Sequence, residues 1–108
     1  MSTKEQDMRV ANTIMNQLGG YGKLKAMINI KYQTAINSGL KFMFSGCRKI
    51  NCIQIILDAT DTYKIEFGKL VMSGKNIGEY TKVKGFEEIY ADQLKWLVEE
   101  TTDLRLSL

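Results

Sequence analysis

Apolar side chains near the start of the chain recur at helical spacing. The residues that share this spacing of three and four are Met8, Ala11, Ile14, Met15 and Leu18. One apolar face of this kind predicts a helix that packs on a core. Ser2 and Glu5 have the spacing of a capping box at its start, and the glycines at 19 and 20 suit the turn that ends it.

The spacing then changes to two, which predicts the first strands. Between Lys23 and Ile36 the even positions are mostly apolar and the odd positions mostly polar, as in a strand with one buried face. The sequence Asn-Ser-Gly at 37–39 is typical of a hairpin turn. A second strand is predicted over 40–45, with a leucine and two phenylalanines on one face.

Three more strands are predicted in the middle of the chain. Residues 52–57 are apolar on both sides apart from one glutamine, which indicates a strand at the centre of a sheet. A turn at 58–61 leads to a strand that starts at Tyr63 and continues toward Met72. After a turn at 73–76, residues 79–83 are predicted to form a short last strand.

A closing helix is predicted from Gly85 onward, because apolar residues again recur at helical spacing. They form one broad arc on a helical wheel: Phe86, Ile89, Tyr90, Leu94, Trp96, Leu97 and Val98. Glu88, Asp92 and Glu99 lie on the opposite side, and we take them as a candidate partner-binding face. The leucines at 104, 106 and 108 alternate, which predicts an extended tail along the core edge.

Together these elements predict one α+β domain over residues 1–108. Its parts are an N-terminal helix, an antiparallel four- or five-stranded meander sheet and a C-terminal helix packed on one sheet face. With 108 residues, of which 44% are hydrophobic, the chain is long enough to bury a core of its own.

The residue types leave little room for catalysis. The chain has no histidine, which is the commonest general base near neutral pH and a common metal ligand. Cys47 and Cys52 are its only cysteines, too few for a structural zinc site, and we expect both to be free thiols. No pair of carboxylates stands out as acid and base. We therefore expect no metal, no cofactor and no enzymatic activity.

Charge is unevenly distributed along the chain. The net charge is +3, but residues 20–84 hold 11 basic and 4 acidic residues, whereas 85–108 hold 2 basic and 6 acidic. Lysines on the polar face of the predicted sheet are candidates for contact with duplex phosphates: Lys23, Lys25, Lys31, Lys82 and Lys84. The strand aromatics fall mostly on the buried face, which argues against base stacking. The alternative is a solvated face that keeps the sheet from aggregating.

No apolar run reaches the roughly 20 residues of a membrane span, and the first ten residues lack the apolar centre of a signal peptide. We therefore expect a cytoplasmic protein without membrane contact. The strand at 79–83 is the predicted edge where two copies would pair, and we expect a monomer or a weak homodimer.

Four short motifs are spread over the chain. They are Gln-Leu-Gly-Gly at 17–20, Asp-Thr-Tyr at 61–63, Tyr-Ala-Asp-Gln-Leu at 90–94 and Thr-Asp-Leu at 102–104. As a set they resemble a family of short proteins carried by tailed phages and other bacterial mobile elements, in which a glycine takes the place of Asp103. The resemblance runs from about Thr13 to the end of the chain. It implies a mobile-element setting in a bacterial cytoplasm and no particular mechanism.

Two functions follow from these observations. The first is a small non-enzymatic accessory protein of a phage or mobile element that acts by protein-protein binding. Its partner would be an unknown host or element protein, bound through a sheet edge or the acidic helix face. The alternative is a basic protein that contacts duplex nucleic acid through a lysine-rich sheet face.

Overall fold

The fold is an antiparallel sheet with helices on one side. The computed structural model describes residues 4–58 and 61–106, so Ser2 of the predicted capping box and the last leucine of the tail lie outside it. Its elements in chain order are α1 (Lys4–Gln17), α2 (Tyr21–Ile28), β1 (Lys31–Ile36), β2 (Gly39–Met43), β3 (Cys52–Leu57), β4 (Tyr63–Leu70), β5 (Tyr80–Ile89), a 3-10 helix (Ala91–Gln93) and α3 (Leu94–Thr102). The sheet order is β1-β2-β3-β4-β5, and every pairing is antiparallel. The predicted α+β meander is confirmed.

One continuous core lies between the sheet and the helices. The sheet contributes the alternate residues of its three central strands, which are almost fully buried: Leu40, Phe42, Ile53, Ile55, Tyr63, Ile65 and Phe67. The helices and the tail cover them with a second layer: Ala11, Ile14, Leu18, Leu24, Ile28, Leu94, Leu97, Val98 and Leu106. The inward face predicted for β2 and β4 is therefore confirmed.

The segment predicted to begin the first strand is instead the helix α2. Leu24 and Ile28 are both buried, and a separation of four places them on one helical face as well as on one strand face. Asn29 ends the helix in the left-handed conformation with φ 52°, and its N–H donates to the Lys25 carbonyl at 3.1 Å. β1 therefore starts only at Lys31.

The last strand is twice as long as predicted, and the closing helix starts later than predicted. β5 continues to Ile89, past the expected helix start at Gly85. Glu88 adopts φ 57° where the register with β4 is irregular, which is a β-bulge. One extra residue lets Phe86 and Ile89 both pair on the core side of the strand, opposite Ile65 and Tyr63. The spacing of three that indicated a helix is thus the spacing of a bulged strand.

α3 buries a narrower face than its sequence predicts. Leu94, Leu97 and Val98 are buried, whereas Tyr90 is 61% exposed and Trp96 is 60% exposed. Both aromatics were expected on the buried arc, and this is wrong. Tyr90 precedes the helix, and Trp96 points away from the helix face that carries Leu94 and Leu97.

The tail after α3 returns to the core, as its alternating leucines predict. Leu106 is fully buried, and its N–H donates to Glu99 Oε2 at 3.0 Å. Asp103 ends α3 with φ 58°, so an aspartate takes the left-handed position that glycine commonly holds. Leu104 is half-buried against the core.

An asparagine side chain extends the pairing of β3 with β4. Asn51 Nδ2 donates to the Leu70 carbonyl at 2.8 Å, and the Leu70 N–H donates to Asn51 Oδ1 at 2.8 Å. The Asn51 N–H also donates to the Gly68 carbonyl at 3.0 Å. The carboxamide therefore bonds the next strand as a backbone residue would.

Candidate functional site

The face of the sheet that carries no helix is the main surface not used by the core. Lys41, Gln54 and Glu66 lie side by side across β2, β3 and β4 on this open face. Next to Lys41 on the same face, Met43 pairs with Cys52. These two are only 6% and 2% exposed, yet neither belongs to the core cluster. The open face therefore has an apolar region of its own.

An apolar groove of about 500 Å³ occupies the β1 side of the open face. Lys41 and Thr34 also line it, and its apolar lining residues are Tyr32, Ile36, Phe42, Met43, Cys52, Leu70 and Met72. Tyr32 is 64% exposed and Met72 is also exposed, so the groove offers large apolar side chains to solvent. Exposed apolar side chains along an open groove are typical of a binding site.

Tyr32 holds a backbone conformation that is unfavourable for an aromatic residue. Its φ is 56°, and the register of β1 with β2 is irregular between Lys31 and Thr34. Thr34 Oγ1 donates to the Tyr32 carbonyl at 3.2 Å, which helps to hold this bulge. A left-handed bulky residue costs about 1–3 kcal/mol, and such strain is found preferentially at functional positions.

The β5 side of the open face is polar and is organised around Glu66. Tyr80 donates from its hydroxyl to Glu66 Oε2 at 2.7 Å, and Lys82 Nζ lies 3.9 Å from Glu66 Oε1. The ring of Tyr80 lies on Gly68, and a side chain at this position would displace it. Burial and the hydrogen bond with Glu66 raise the pKa of Tyr80. We call these three residues the Glu66 cluster; a groove of about 340 Å³ runs beside Glu66 and Lys82.

The thiol at the floor of the apolar groove is held in its protonated form. Burial raises the pKa of Cys52, and the nearby Lys41 opposes this only in part. A buried thiol of this kind behaves as a small apolar group and is a poor nucleophile. Cys47 and Cys52 are both free cysteines, as predicted. Within residues 4–58 and 61–106, no three cysteine or carboxylate side chains come together in an arrangement that would hold a metal ion.

The candidate nucleic-acid lysines do not share one face. Lys23 and Lys25 lie on α2, in the helical layer, and not on a strand. Lys31 and Lys82 belong to β1 and β5, the two outer strands, which are four strand spacings or about 19 Å apart. The expectation of one lysine-rich sheet face is therefore wrong, although contact of individual lysines with phosphates stays a prediction.

A second bulge separates the last two of these lysines. Lys82 pairs with Gly68 on the open face, whereas Lys84 pairs with Phe67 on the core side. Lys84 Nζ accordingly lies 5.7 Å from the centre of the Phe86 ring. The extra residue between them, Val83, removes the alternation on which the prediction depended.

The candidate partner-binding acids do not form a helix face either. Glu88 lies in the bulge of β5, Asp92 in the 3-10 helix and Glu99 in α3. Glu99 is half-buried and accepts the Leu106 N–H, so it holds the tail. The prediction of a common helical face is wrong because the helix starts after Glu88; binding by any one of these acids stays a prediction.

Three of the four short motifs noted in the sequence lie at the ends of structural elements. Gln93 Oε1 accepts the Tyr90 N–H at 3.0 Å where β5 gives way to the 3-10 helix. Thr102 Oγ1 donates to the Val98 carbonyl at 2.7 Å in the last turn of α3. Gly19 and Gly20 have φ of 125° and 94° between α1 and α2. The motifs at 17–20, 90–94 and 102–104 therefore each have a local structural role at a turn or cap.

No helix in the described part of the chain has the length and apolar character needed to cross a bilayer. Comparison of the chain with protein-family models, with curated proteins and with solved structures gives no significant match.

Proposed function

We propose that this chain is a non-enzymatic binding module whose open sheet face docks an extended segment of another protein. The observation that supports the proposal best is the conformation of Tyr32. An exposed aromatic residue in a strained conformation lines an apolar groove, although a glycine there would relieve the strain. A tyrosine that strains the backbone at an exposed groove is expected where its side chain contacts a partner.

The charges at the groove indicate the chemistry of the bound segment. Lys41 borders the groove, and Lys31 occupies the register position opposite Met43. Neither lysine takes part in an ion pair among those found in the described residues. A segment with apolar side chains for the groove and a neighbouring carboxylate for Lys41 would complement this surface. The proposal places the module in the cytoplasm, and the phage or mobile-element setting rests on the sequence resemblance alone.

Selection from a displayed library of random 12-residue peptides tests this proposal. We expect the selected peptides to combine apolar residues with Asp or Glu. Fluorescence anisotropy should show a Kd weakened at least tenfold by Tyr32→Gly and by Lys41→Glu, because each removes a contact worth about 1.4 kcal/mol or more. Trp96→Ser is the matched control, since Trp96 is exposed on α3 and away from the groove.

Two outcomes would contradict the proposal. One is a selection whose peptides bind Tyr32→Gly and Lys41→Glu as well as the wild type. The other is the absence of any enriched peptide together with binding of a random duplex that weakens steeply as salt rises. That second result would favour the nucleic-acid alternative, because release of counterions from phosphates produces this salt dependence.

A further inference from the structure

The outer side of β5 is a long strand edge without a neighbour. β5 has ten residues, and in the described part of the chain its only partner is β4. Every residue from Tyr80 to Gly85 is exposed, as are Glu87 and Glu88. An exposed edge of this length presents backbone donors and acceptors to any extended chain that approaches it.

The opposite edge of the sheet is less suited to pairing. β1 has six residues and is interrupted by the left-handed bulge at Tyr32, and α1 packs against it. β5 also contains bulges, near Val83 and Glu88, but the stretch Lys84–Phe86 between them pairs with β4 in regular register. Regular backbone in the middle of β5 leaves a site for strand addition there.

The charges of β5 are arranged in two halves of opposite sign. Lys82 and Lys84 precede Gly85, and Glu87 and Glu88 follow Phe86. An antiparallel copy of the same strand would bring the basic half of each chain against the acidic half of the other. A parallel copy would bring like charges together, which is destabilising across strands. The edge is therefore complementary to itself in one orientation only.

We propose that two copies of this chain associate through antiparallel pairing of β5 with β5, around a two-fold axis at Gly85. In this register Lys84 of each chain lies opposite Phe86 of the other, which repeats between chains the contact that Lys84 makes with Phe86 within one chain. Lys82 faces the Glu87 and Glu88 side of its partner. Gly85 has no side chain of its own at the axis, and the Lys82 side chain of the same chain lies over it. The resulting sheet has ten strands, and its formation does not depend on what occupies the apolar groove.

Sedimentation velocity of the full chain between about 1 and 500 µM tests the proposal. We expect a monomer–dimer equilibrium whose Kd rises at least tenfold in an acidic variant, Lys82→Glu with Lys84→Glu. A basic variant, Glu87→Lys with Glu88→Lys, should weaken self-association by a similar factor. Mixing the two variants should restore the dimer, because their edges are then of opposite charge. Lys23→Glu with Lys25→Glu is the matched control, since it changes net charge equally but lies on α2.

Hydrogen exchange of the wild type gives a measurement that does not depend on the variants folding. The amide protons of Lys84–Phe86 that point away from β4 should exchange more slowly at high than at low protein concentration, whereas those of β1 should not change. A wild type that stays monomeric at 500 µM would overturn the proposal. So would a dimer that the two charge variants leave unchanged, or variants that fail to recover the dimer on mixing while remaining folded by circular dichroism.

Discussion

The two faces of the sheet are made by the same strands and differ in what covers them. On β4, Phe67 points into the core and is fully buried, whereas its neighbour Glu66 points to the open face and holds Tyr80 and Lys82. The core face contacts three helices and contributes most of the burial. The open face carries a strained tyrosine, an apolar groove and the Glu66 cluster, and Tyr32, Glu66, Tyr80 and Lys82 all lie outside the core cluster. Alternation along a strand thus separates residues that stabilise from residues that are available for contact.

The largest expected effect tests this separation at adjacent positions. Phe67→Ala should lower the free energy of unfolding by about 3–5 kcal/mol, because it leaves a cavity in a packed core. Glu66→Ala, one residue earlier on the other face, should cost less than about 1 kcal/mol. Urea denaturation followed by circular dichroism measures both. Equal losses would show that the open face also contributes substantially to stability.

A smaller effect of opposite sign is expected at Tyr32. Tyr32→Gly should raise the free energy of unfolding by about 1 kcal/mol, since glycine adopts a positive φ without the steric cost that tyrosine carries. Tyr32→Ala is the control because it removes the ring but retains the strained conformation. Thermal unfolding should therefore rank the glycine variant above the alanine variant. The reverse order would mean that the bulge at Tyr32 is not strained.

The smallest effect concerns the pH dependence of the Glu66 cluster. Burial and Glu66 raise the pKa of Tyr80 in the folded state, so its hydroxyl keeps its proton after tyrosines of the unfolded chain ionise near pH 10. The contribution of Tyr80 to stability is therefore complete below about pH 10 and is lost as pH rises above it. In an ultraviolet titration, Tyr80→Phe should remove part of the absorbance change above about pH 10, where the raised pKa of Tyr80 places its ionisation. A curve that loses amplitude uniformly would contradict this assignment.

The central strands could be predicted from the sequence because the alternation of apolar and polar residues and the positions of the turn residues indicate the same strand boundaries. Asn-Ser-Gly at 37–39 and the alternation of β2 and β4 each allow one interpretation. At Leu24 and Ile28 a spacing of four satisfied both a helix and a strand, so periodicity did not decide between them. At Phe86 and Ile89 a bulge gave a strand the spacing of a helix.

Much of the candidate site depends on features that spacing does not reveal. The groove had one signal in the sequence: residues 52–57 are apolar on both faces, which is the reason that Cys52 lies on its floor. The left-handed conformation of Tyr32 has no sequence signal, because tyrosine is a poor candidate for such a position. The bulge at Val83 likewise places Lys82 and Lys84 on opposite faces of the sheet. No residue type near Val83 predicts a bulge there.

The bond pair that joins Asn51 to β4 has a consequence for the chemical ageing of the chain. Deamidation would replace the Nδ2 donor with an oxygen and set a carboxylate against the Leu70 carbonyl, since an ionised carboxylate only accepts hydrogen bonds. One hydrolysed amide would thus convert an attraction into a repulsion at the end of β3, and the change would be permanent. The two hydrogen bonds with Leu70 hold the Asn51 carboxamide in place while the sheet is folded. The end of the β3–β4 pairing in turn depends on Asn51 keeping its amide group.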